Sequence, residues 1–296
     1  MPGEPIRIMA SRHSAFYSPL LATINGGFLK AEGLQSTYSV LQPGQRSHEL
    51  IRRGDVEVMQ SAVSSNWAAM DSGASDLPAH FAQINRRDGF FIVARKPGEA
   101  FDWKRLEGST LVADHGSQPL VMLRYAAEIN QVEWKQVALI DAGAPEQMDA
   151  RFRQGAGDYV HLQGPAAQEL ENDGVGNVVA SVGEAMPAVA FSSLMASTEF
   201  LKTEKARAFL KAYRNGRDFV NQANANDIVR LEKDLFPAVE LEVLTSTIAR
   251  YQRLGCWNGA LEITRDLYQQ ALTVFLHCGA IKRRYEYEAV VQRLNV

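Results

Sequence analysis

Short apolar runs alternate along the chain with longer stretches in which apolar residues return every three or four positions. This alternation predicts β–α–β units and a largely parallel sheet. In the first half, strands are predicted at residues 6–10, 36–41, 56–61, 80–85 and 90–94. A helix is predicted at residues 19–29, where Leu20, Ile24 and Phe28 recur at helical spacing and Gly33 suits a left-handed turn beyond the helix.

The same order of elements begins again near residue 109. Strands are predicted at residues 110–113, 137–140 and 159–162, with helices at 119–130 and 146–154 between them. Ser18-Pro19-Leu20 opens the first helix, and Gln118-Pro119-Leu120 opens its counterpart about a hundred positions later. Although any two β–α–β units share strand, turn and helix order, this likeness of residues favours an α/β protein with two similar Rossmann-like lobes in tandem.

From residue 190 onward the pattern is helical. Amphipathic helices are predicted at residues 204–221, 223–235, 240–254 and 261–278, and no further strand is expected. The two crossings of a hinge between the lobes are placed at residues 94–98 and 189–193. Residues 1–94 and 190–296 would then form lobe 1, completed by the C-terminal helices, and residues 95–189 would form lobe 2.

The candidate binding residues follow the predicted strands. In open α/β sheets, ligands bind at the carboxyl ends of the strands, where helix N-termini present free backbone N–H groups. The loops at these positions are rich in hydroxyl, amide, imidazole and aromatic side chains. The ligand-binding residues predicted from them are His13, Phe16, Tyr17, Ser18, Gln42, Ser61, Ser64, Ser65, Trp67, His115, Ser117, Gln118, His161 and Gln163.

The chemistry of these loops favours an anionic or a planar ligand. Prolines mark the starts of three helices, and the N–H groups that follow them are free to bind a carboxylate or sulfonate without any arginine. Phe16, Tyr17 and Trp67 suit the flat or hydrocarbon part of a ligand. Each residue taken alone also has an ordinary interpretation, because serine commonly caps a helix, an aromatic residue commonly lies in the core, and a loop histidine is commonly a surface group.

Composition limits the classes of function. The formal net charge is -3 and no long block of like charge occurs, so nucleic acid is not an expected partner. Cys256 and Cys278 lie far apart and no compact pattern has metal-ligand spacing, so no disulfide framework, metal or other cofactor is predicted. The sequence contains no nucleophile elbow, phosphate loop or dinucleotide-binding fingerprint. Binding is therefore favoured over catalysis, and a monomer is expected.

Several longer motifs carry a family resemblance. The run Tyr17-Ser18-Pro19 continues to Gly26-Gly27-Phe28-Leu29-Lys30-Ala31-Glu32-Gly33-Leu34, and Leu50 is followed by Gly54-Asp55-Val56-Glu57. Together with Phe191-Ser192-Ser193, these segments resemble the aliphatic sulfonate, nitrate and taurine class of ABC-transporter substrate-binding proteins. The wider superfamily includes the thiamine-pyrimidine synthases. The resemblance covers nearly the whole chain in order, and its motifs are structural ones shared by many ligand specificities.

The resemblance implies a type II periplasmic binding-protein fold that closes around a small organic anion or heterocycle and delivers it to an ABC-transporter permease. It implies a periplasmic location, whereas residues 1–9 lack the pattern of a secretory signal and favour the cytoplasm. A cytosolic enzyme on the same scaffold, a desulfinase-like or pyrimidine-synthase-like lyase, is the alternative. Against it, the cysteine-rich motif of the synthases is missing, and Phe16-Tyr17-Ser18 stands where a desulfinase has its cysteine.

Overall fold

The computed structural model describes residues 3–96 and 100–294 and contains two five-stranded sheets. The first sheet has the strand order β2-β1-β3-β10-β4. In it, β1 is parallel to β2 and β3, whereas β10 is antiparallel to β3 and β4. Its strands are β1 (Glu4–Ala10), β2 (Leu34–Val40), β3 (Val58–Ser61), β4 (Ala79–Asn85) and β10 (Ser192–Ala196).

The second sheet repeats this plan in the order β7-β6-β8-β5-β9. Here β6 is parallel to β7 and β8, and β5 is antiparallel to β8 and β9. The strand that crosses from the other lobe therefore occupies the fourth position in both sheets. The strands are β5 (Phe90–Ala94), β6 (Thr110–Val112), β7 (Ala138–Ile140), β8 (Tyr159–Gln163) and β9 (Asn177–Ser181).

Helices follow the strands much as the hydrophobic pattern predicts. The helix expected at 19–29 is divided, because Gly26 ends its first part and Gly27 adopts a positive φ of 80°. The helices are α1 (Ser18–Asn25), α2 (Phe28–Ala31), α3 (Ser47–Arg52), α4 (Ser64–Asp71), α5 (Ser117–Ile129), α6 (Pro145–Arg153), α7 (Ala166–Asn172), α8 (Glu204–Gln222), α9 (Ala225–Glu232), α10 (Leu241–Arg253) and α11 (Arg265–His277).

The first crossing between the lobes lies earlier than the sequence suggested. Because β5 pairs with β8 and β9, it belongs to the second lobe, and the chain crosses at residues 86–89. The predicted boundary at residue 94 is therefore wrong. The returning segment runs beside the first, since Val189 N–H donates to the carbonyl of Arg86 (2.9 Å) and Phe191 N–H donates to that of Asn85 (3.1 Å). Two hydrogen-bonded segments thus form the hinge.

Two strands were not expected from the sequence. The residues of β10 were assigned to a crossing and to the helical region, yet this strand lies fully buried between β3 and β4. Its apolar run is short and begins with two serines, so its local pattern is weak. The strand β9 is at the edge of the second sheet and is mostly half-buried, so it lacks a strong apolar pattern.

The C-terminal helices contact both lobes. Both α8 and α9 pack on α1, which belongs to the first lobe. Beyond them, α10 contacts α7 and α11 contacts α5, which both belong to the second lobe. In residues 3–96 and 100–294, no helix is both long and apolar enough to cross a membrane.

Candidate functional site

A cavity of about 220 Å³ lies where the carboxyl ends of the strands in the two sheets meet. Loops after β1 and β3 form one wall, and loops after β6 and β8 form the other. The first lobe contributes Ser11, Arg12, Tyr17, Gln60, Ser61, Ala62, Ser64, Ser65, Ala68 and Ser192, and the second lobe with the hinge contributes Phe90, Gly116, Gln118, Pro119, Gln163 and Phe191.

Local hydrogen bonds position the polar wall of the first lobe. Gln60 is the third residue of β3, and its Oε1 accepts hydrogen bonds from the backbone N–H of Ser11 (3.0 Å) and from its Oγ (2.6 Å). Ser64 begins α4, so its N–H is among those that a helix leaves without an internal partner, whereas the N–H of Ser65 donates to the carbonyl of Ala62 at 2.9 Å. The wall therefore presents hydroxyls, an amide and a helix N-terminus to the cavity.

Hydrogen bonds between the lobes hold the cavity closed. Ser64 Oγ donates to Gln118 Oε1 at 2.7 Å, and Gln118 Nε2 donates to the carbonyl of Phe191 at 2.7 Å. Ser14 Oγ donates to the carbonyl of Gly164 in the other lobe, also at 2.7 Å. Because these bonds join loops from the two sheets, they exist only when the lobes are together.

An ion pair also joins the two lobes. Arg12 donates from Nη1 and Nη2 to the two carboxylate oxygens of Asp114. Burial disfavours both charges, but the hydrogen bonds and the mutual attraction outweigh it, so the pKa of Arg12 is raised and that of Asp114 is lowered. Gly116 N–H also donates to Asp114 Oδ1 at 2.7 Å. Both partners are therefore charged at neutral pH.

Aromatic rings complete the cavity wall. Tyr17, Phe90 and Phe191 border the cavity and are almost fully buried. Burial raises the pKa of Tyr17, so its hydroxyl is protonated at neutral pH, and Gln163 borders the same cavity from the opposite lobe. Rings together with amides and hydroxyls suit a small ligand that has a flat or hydrocarbon portion and several polar atoms.

The structure brings together six of the residues predicted from the sequence. Those that line the cavity are Tyr17, Ser61, Ser64, Ser65, Gln118 and Gln163. Seven others lie outside it, namely His13, Phe16, Ser18, Gln42, Trp67, His115 and His161. Ser117 begins α5 beside Gln118, but its side chain is outside the described part of the structure.

Phe16 and Trp67 are core residues and do not line the cavity. Both are fully buried. Trp67 packs against rings of α11, and its Nε1 donates to Tyr268 Oη at 3.0 Å. The ring of Phe16 lies 5.0 Å from that of Tyr251 in α10. The C-terminal helices thus cover aromatic faces that would otherwise be open.

The three histidines predicted to bind a ligand also lie outside the cavity lining. His13 stacks on Phe236 with ring centroids 4.4 Å apart. His115 is exposed, and its Nδ1 lies 2.8 Å from the carbonyl oxygen of Ala113. His161 is fully buried behind Phe90, and burial lowers its pKa to about 3, so this imidazole is neutral.

Two further predicted residues serve local structure. Ser18 Oγ lies within hydrogen-bonding distance of the carbonyl oxygen of Ala15 (2.7 Å) and of the buried carboxyl of Glu232 (2.8 Å). Gln42 is exposed, and its Nε2 donates to the carbonyl of Val40 at 2.9 Å. Neither side chain borders the cavity.

Arg12 and its partner Asp114 were missed by the sequence reasoning, which expected a site without arginine. A signal was present, since Arg12 stands two residues after β1 and Asp114 stands two residues after the equivalent strand β6. Opposite charges at equivalent positions of two repeated lobes predict an ion pair across the cleft. Gln60, Phe90 and Phe191 were also missed, because each lies within or beside a strand whose face cannot be read locally.

The cavity holds groups for binding and shows none of the usual groups for metal or thiol chemistry. Among the described residues, no cluster of histidine, cysteine and acidic side chains could hold a metal ion. Cys256 is buried, and burial raises the pKa of its thiol. Burial likewise raises the pKa of Cys278 to about 11. Neither thiol lines the cavity.

The chain is similar to known proteins over nearly its whole length. "Putative binding protein YtlA" from Bacillus subtilis (strain 168) is 29% identical over 294 residues, a match covering 97% of this chain and 87% of that protein. The periplasmic aliphatic sulphonate binding protein SsuA from Escherichia coli has a TM-score of 0.77 at 13% identity, covering 99% of this chain and 93% of that one. The ligand binding component of an ABC-type import system from Staphylococcus aureus has a TM-score of 0.77 at 16% identity, covering 98% and 97%.

The two structural comparisons confirm the expected type II periplasmic binding-protein fold. A family model described as "NMT1/THI5 like" matches residues 15–225, which is more than half of the chain. This range includes every strand of the two sheets except β1, the hinge, and every residue that lines the cavity except Ser11 and Arg12. The chain therefore belongs to the NMT1/THI5-like family.

Proposed function

We propose that this protein is the substrate-binding component of an ABC transporter and that its two lobes close around a small organic molecule. The observation that carries the proposal is the cavity between the lobes, together with the hydrogen bonds that cross it. Ser64, Gln118 and the hinge carbonyl of Phe191 form one continuous chain of hydrogen bonds from lobe to lobe. A ligand that bonds to both walls would add to the same closed state.

The names of the similar proteins support this proposal. The Bacillus subtilis relative is named as a binding protein, and the two structural neighbours are named as a sulphonate-binding protein and as a component of an import system. Small organic anions such as sulfonates and carboxylates, and heterocycles, are the ligand classes we propose to test. In this role the permease of the transporter is the protein partner.

Calorimetry against a panel of sulfonates, carboxylates, amino acids and pyrimidines tests the proposal, with small-angle scattering to follow closure. We expect micromolar or tighter binding of one panel member and a smaller radius of gyration in its presence. Gln118→Ala should weaken that binding, whereas Gln42→Ala, which removes an exposed amide outside the cavity, should leave it unchanged. A folded protein that binds no panel member and does not change its radius of gyration would contradict the proposal.

The same ligand separates binding from turnover. After incubation with the protein, mass spectrometry should recover the ligand unchanged, because the cavity wall carries no thiol and no imidazole. Stoichiometric binding with complete recovery supports the transport role. Loss of the ligand with appearance of a product would instead establish an enzyme on this scaffold.

A further inference from the structure

The ion pair between Arg12 and Asp114 combines a cavity-facing cation with a buried anion. The side chain of Arg12 is 29% exposed and borders the cavity, whereas that of Asp114 is 5% exposed and lies outside the cavity lining. Both carboxylate oxygens accept hydrogen bonds from the guanidinium. A ligand therefore meets an arginine whose charge is already balanced from the opposite lobe.

No other charge in the described cavity wall disturbs this balance. Apart from Arg12, the described lining residues carry hydroxyl, amide, aromatic or aliphatic groups. Two titratable groups lie behind the wall, and burial makes both neutral at pH 7. It raises the pKa of Asp88 to about 8 and lowers that of His161 to about 3. Apart from the balanced ion pair, the described cavity wall and these two groups therefore carry no charge at pH 7.

A simple anion would disturb the ion pair in either of two ways. Placed beside Arg12 with Asp114 in position, it would put two negative charges on one partly buried cation. If it displaced Asp114, it would leave a buried carboxylate without its partner, which is strongly unfavourable. A ligand without net charge accepts or donates hydrogen bonds at the amides and hydroxyls and leaves the pair intact.

We propose that Asp114 is a specificity-determining residue, and that through its pair with Arg12 the cleft selects small ligands without net charge over simple anions. This inference rests on the proposed binding function and narrows the ligand class that fits it. It also assigns the pair a second role, because bonds from one lobe to the other stabilise the closed cleft before a ligand arrives.

The variant Asp114→Asn tests the inference without knowledge of the natural ligand. Asparagine can keep the oxygen that accepts from Gly116 N–H and from Arg12 Nη2, but it removes the negative charge, so the positive charge of Arg12 is left unbalanced at the cavity. Ethanesulfonate and acetate, titrated by calorimetry at constant ionic strength, are the probes. We expect at least tenfold tighter binding of both anions by the variant than by the wild type.

Two control variants identify the source of the gain in anion affinity. Asp141→Asn changes the net charge of the protein by the same amount at an exposed side chain outside the cavity (63% exposed), and should bind the anions as the wild type does. The double variant Arg12→Gln with Asp114→Asn should lose the gain. Thermal unfolding of each variant establishes that it is folded.

If Asp114→Asn does not fold, titration of the wild type with the same anions still tests the inference. Micromolar binding of ethanesulfonate or acetate by the wild type would overturn the inference while leaving the proposed binding function intact. A folded Asp114→Asn protein with no gain in anion affinity would overturn it as well. Failure of the proposed function has a different signature, namely no binding and no closure of the wild type with any ligand of the full panel.

Discussion

Replacement of Asp88 by asparagine should remove a large pH dependence of stability. Asp88 lies in the first hinge segment and is fully buried. Its Oδ1 accepts a hydrogen bond from Phe90 N–H at 2.6 Å, and its Oδ2 has no partner among the described residues. Burial opposes ionisation, the hydrogen bond from Phe90 favours it, and the negative charge of Asp114 opposes it again, so that its pKa rises from 3.8 to about 8.

The shift sets the magnitude of the effect. Between pH 3.8 and about 8 the folded protein retains a proton on Asp88 that the unfolded chain releases. The proton on Asp88 contributes to the free energy of unfolding in full below pH 3.8. As the pH rises from 3.8 to about 8, this contribution is lost at about 1.4 kcal/mol for each pH unit. At pH 7 the loss amounts to about 4 kcal/mol. Asparagine cannot ionise, so Asp88→Asn escapes this loss.

Urea unfolding of the wild type and of Asp88→Asn at intervals from pH 4 to pH 9 measures the effect. The free energy of unfolding of the variant minus that of the wild type should rise steadily up to about pH 8 and then level off. Contributions of the other titrating groups cancel in this difference. A flat difference for Asp88→Asn would refute the reasoning.

Three further substitutions probe the core, the cleft and the hinge. Trp67→Ala should lower the free energy of unfolding by about 3–5 kcal/mol because it empties a core site, while the folded variant keeps its ligand affinity. Urea unfolding with calorimetry checks this, and a strong loss of affinity would show that the indole contacts the ligand. Gln118→Ala should weaken ligand binding about tenfold or more, since Ser64 then loses its partner across the cleft. An unchanged dissociation constant would exclude that role. Gly183→Ala should lower the free energy of unfolding by about 1–3 kcal/mol, because a Cβ there would collide with the backbone carbonyl of Asp88 in the first hinge segment. Urea unfolding measures this loss, and an unchanged free energy of unfolding would mean that the hinge accommodates the methyl group.

Much of the secondary structure could be predicted from the sequence, because the periodicity of apolar residues is a local property. The strand at residues 90–94 has its predicted bounds, and the helix expected at 204–221 extends from Glu204 to Gln222. The repeat of strand and helix order likewise predicted two equivalent sheets. The predicted order of strands and helices also placed Ser64 and Gln118 just beyond strand ends, and both residues line the cavity.

Only the tertiary structure decided which sheet each crossing strand joins and which loop residues face the cavity. The strand β5 was located correctly but assigned to the wrong lobe, because pairing with β8 and β9 involves residues distant in sequence. Trp67 has the same local setting as its neighbours in α4, yet Tyr268, 201 positions later, buries it in the core.

The sequence by itself determined the repeated β–α–β plan and the polar character of the strand-end loops, since both follow from residue type and spacing. The ion pair of Arg12 with Asp114 depends instead on the approach of two loops 102 positions apart. Approach of this kind is set by the packing of whole lobes and by the path of the hinge. The charge of the cleft was therefore decided by tertiary structure.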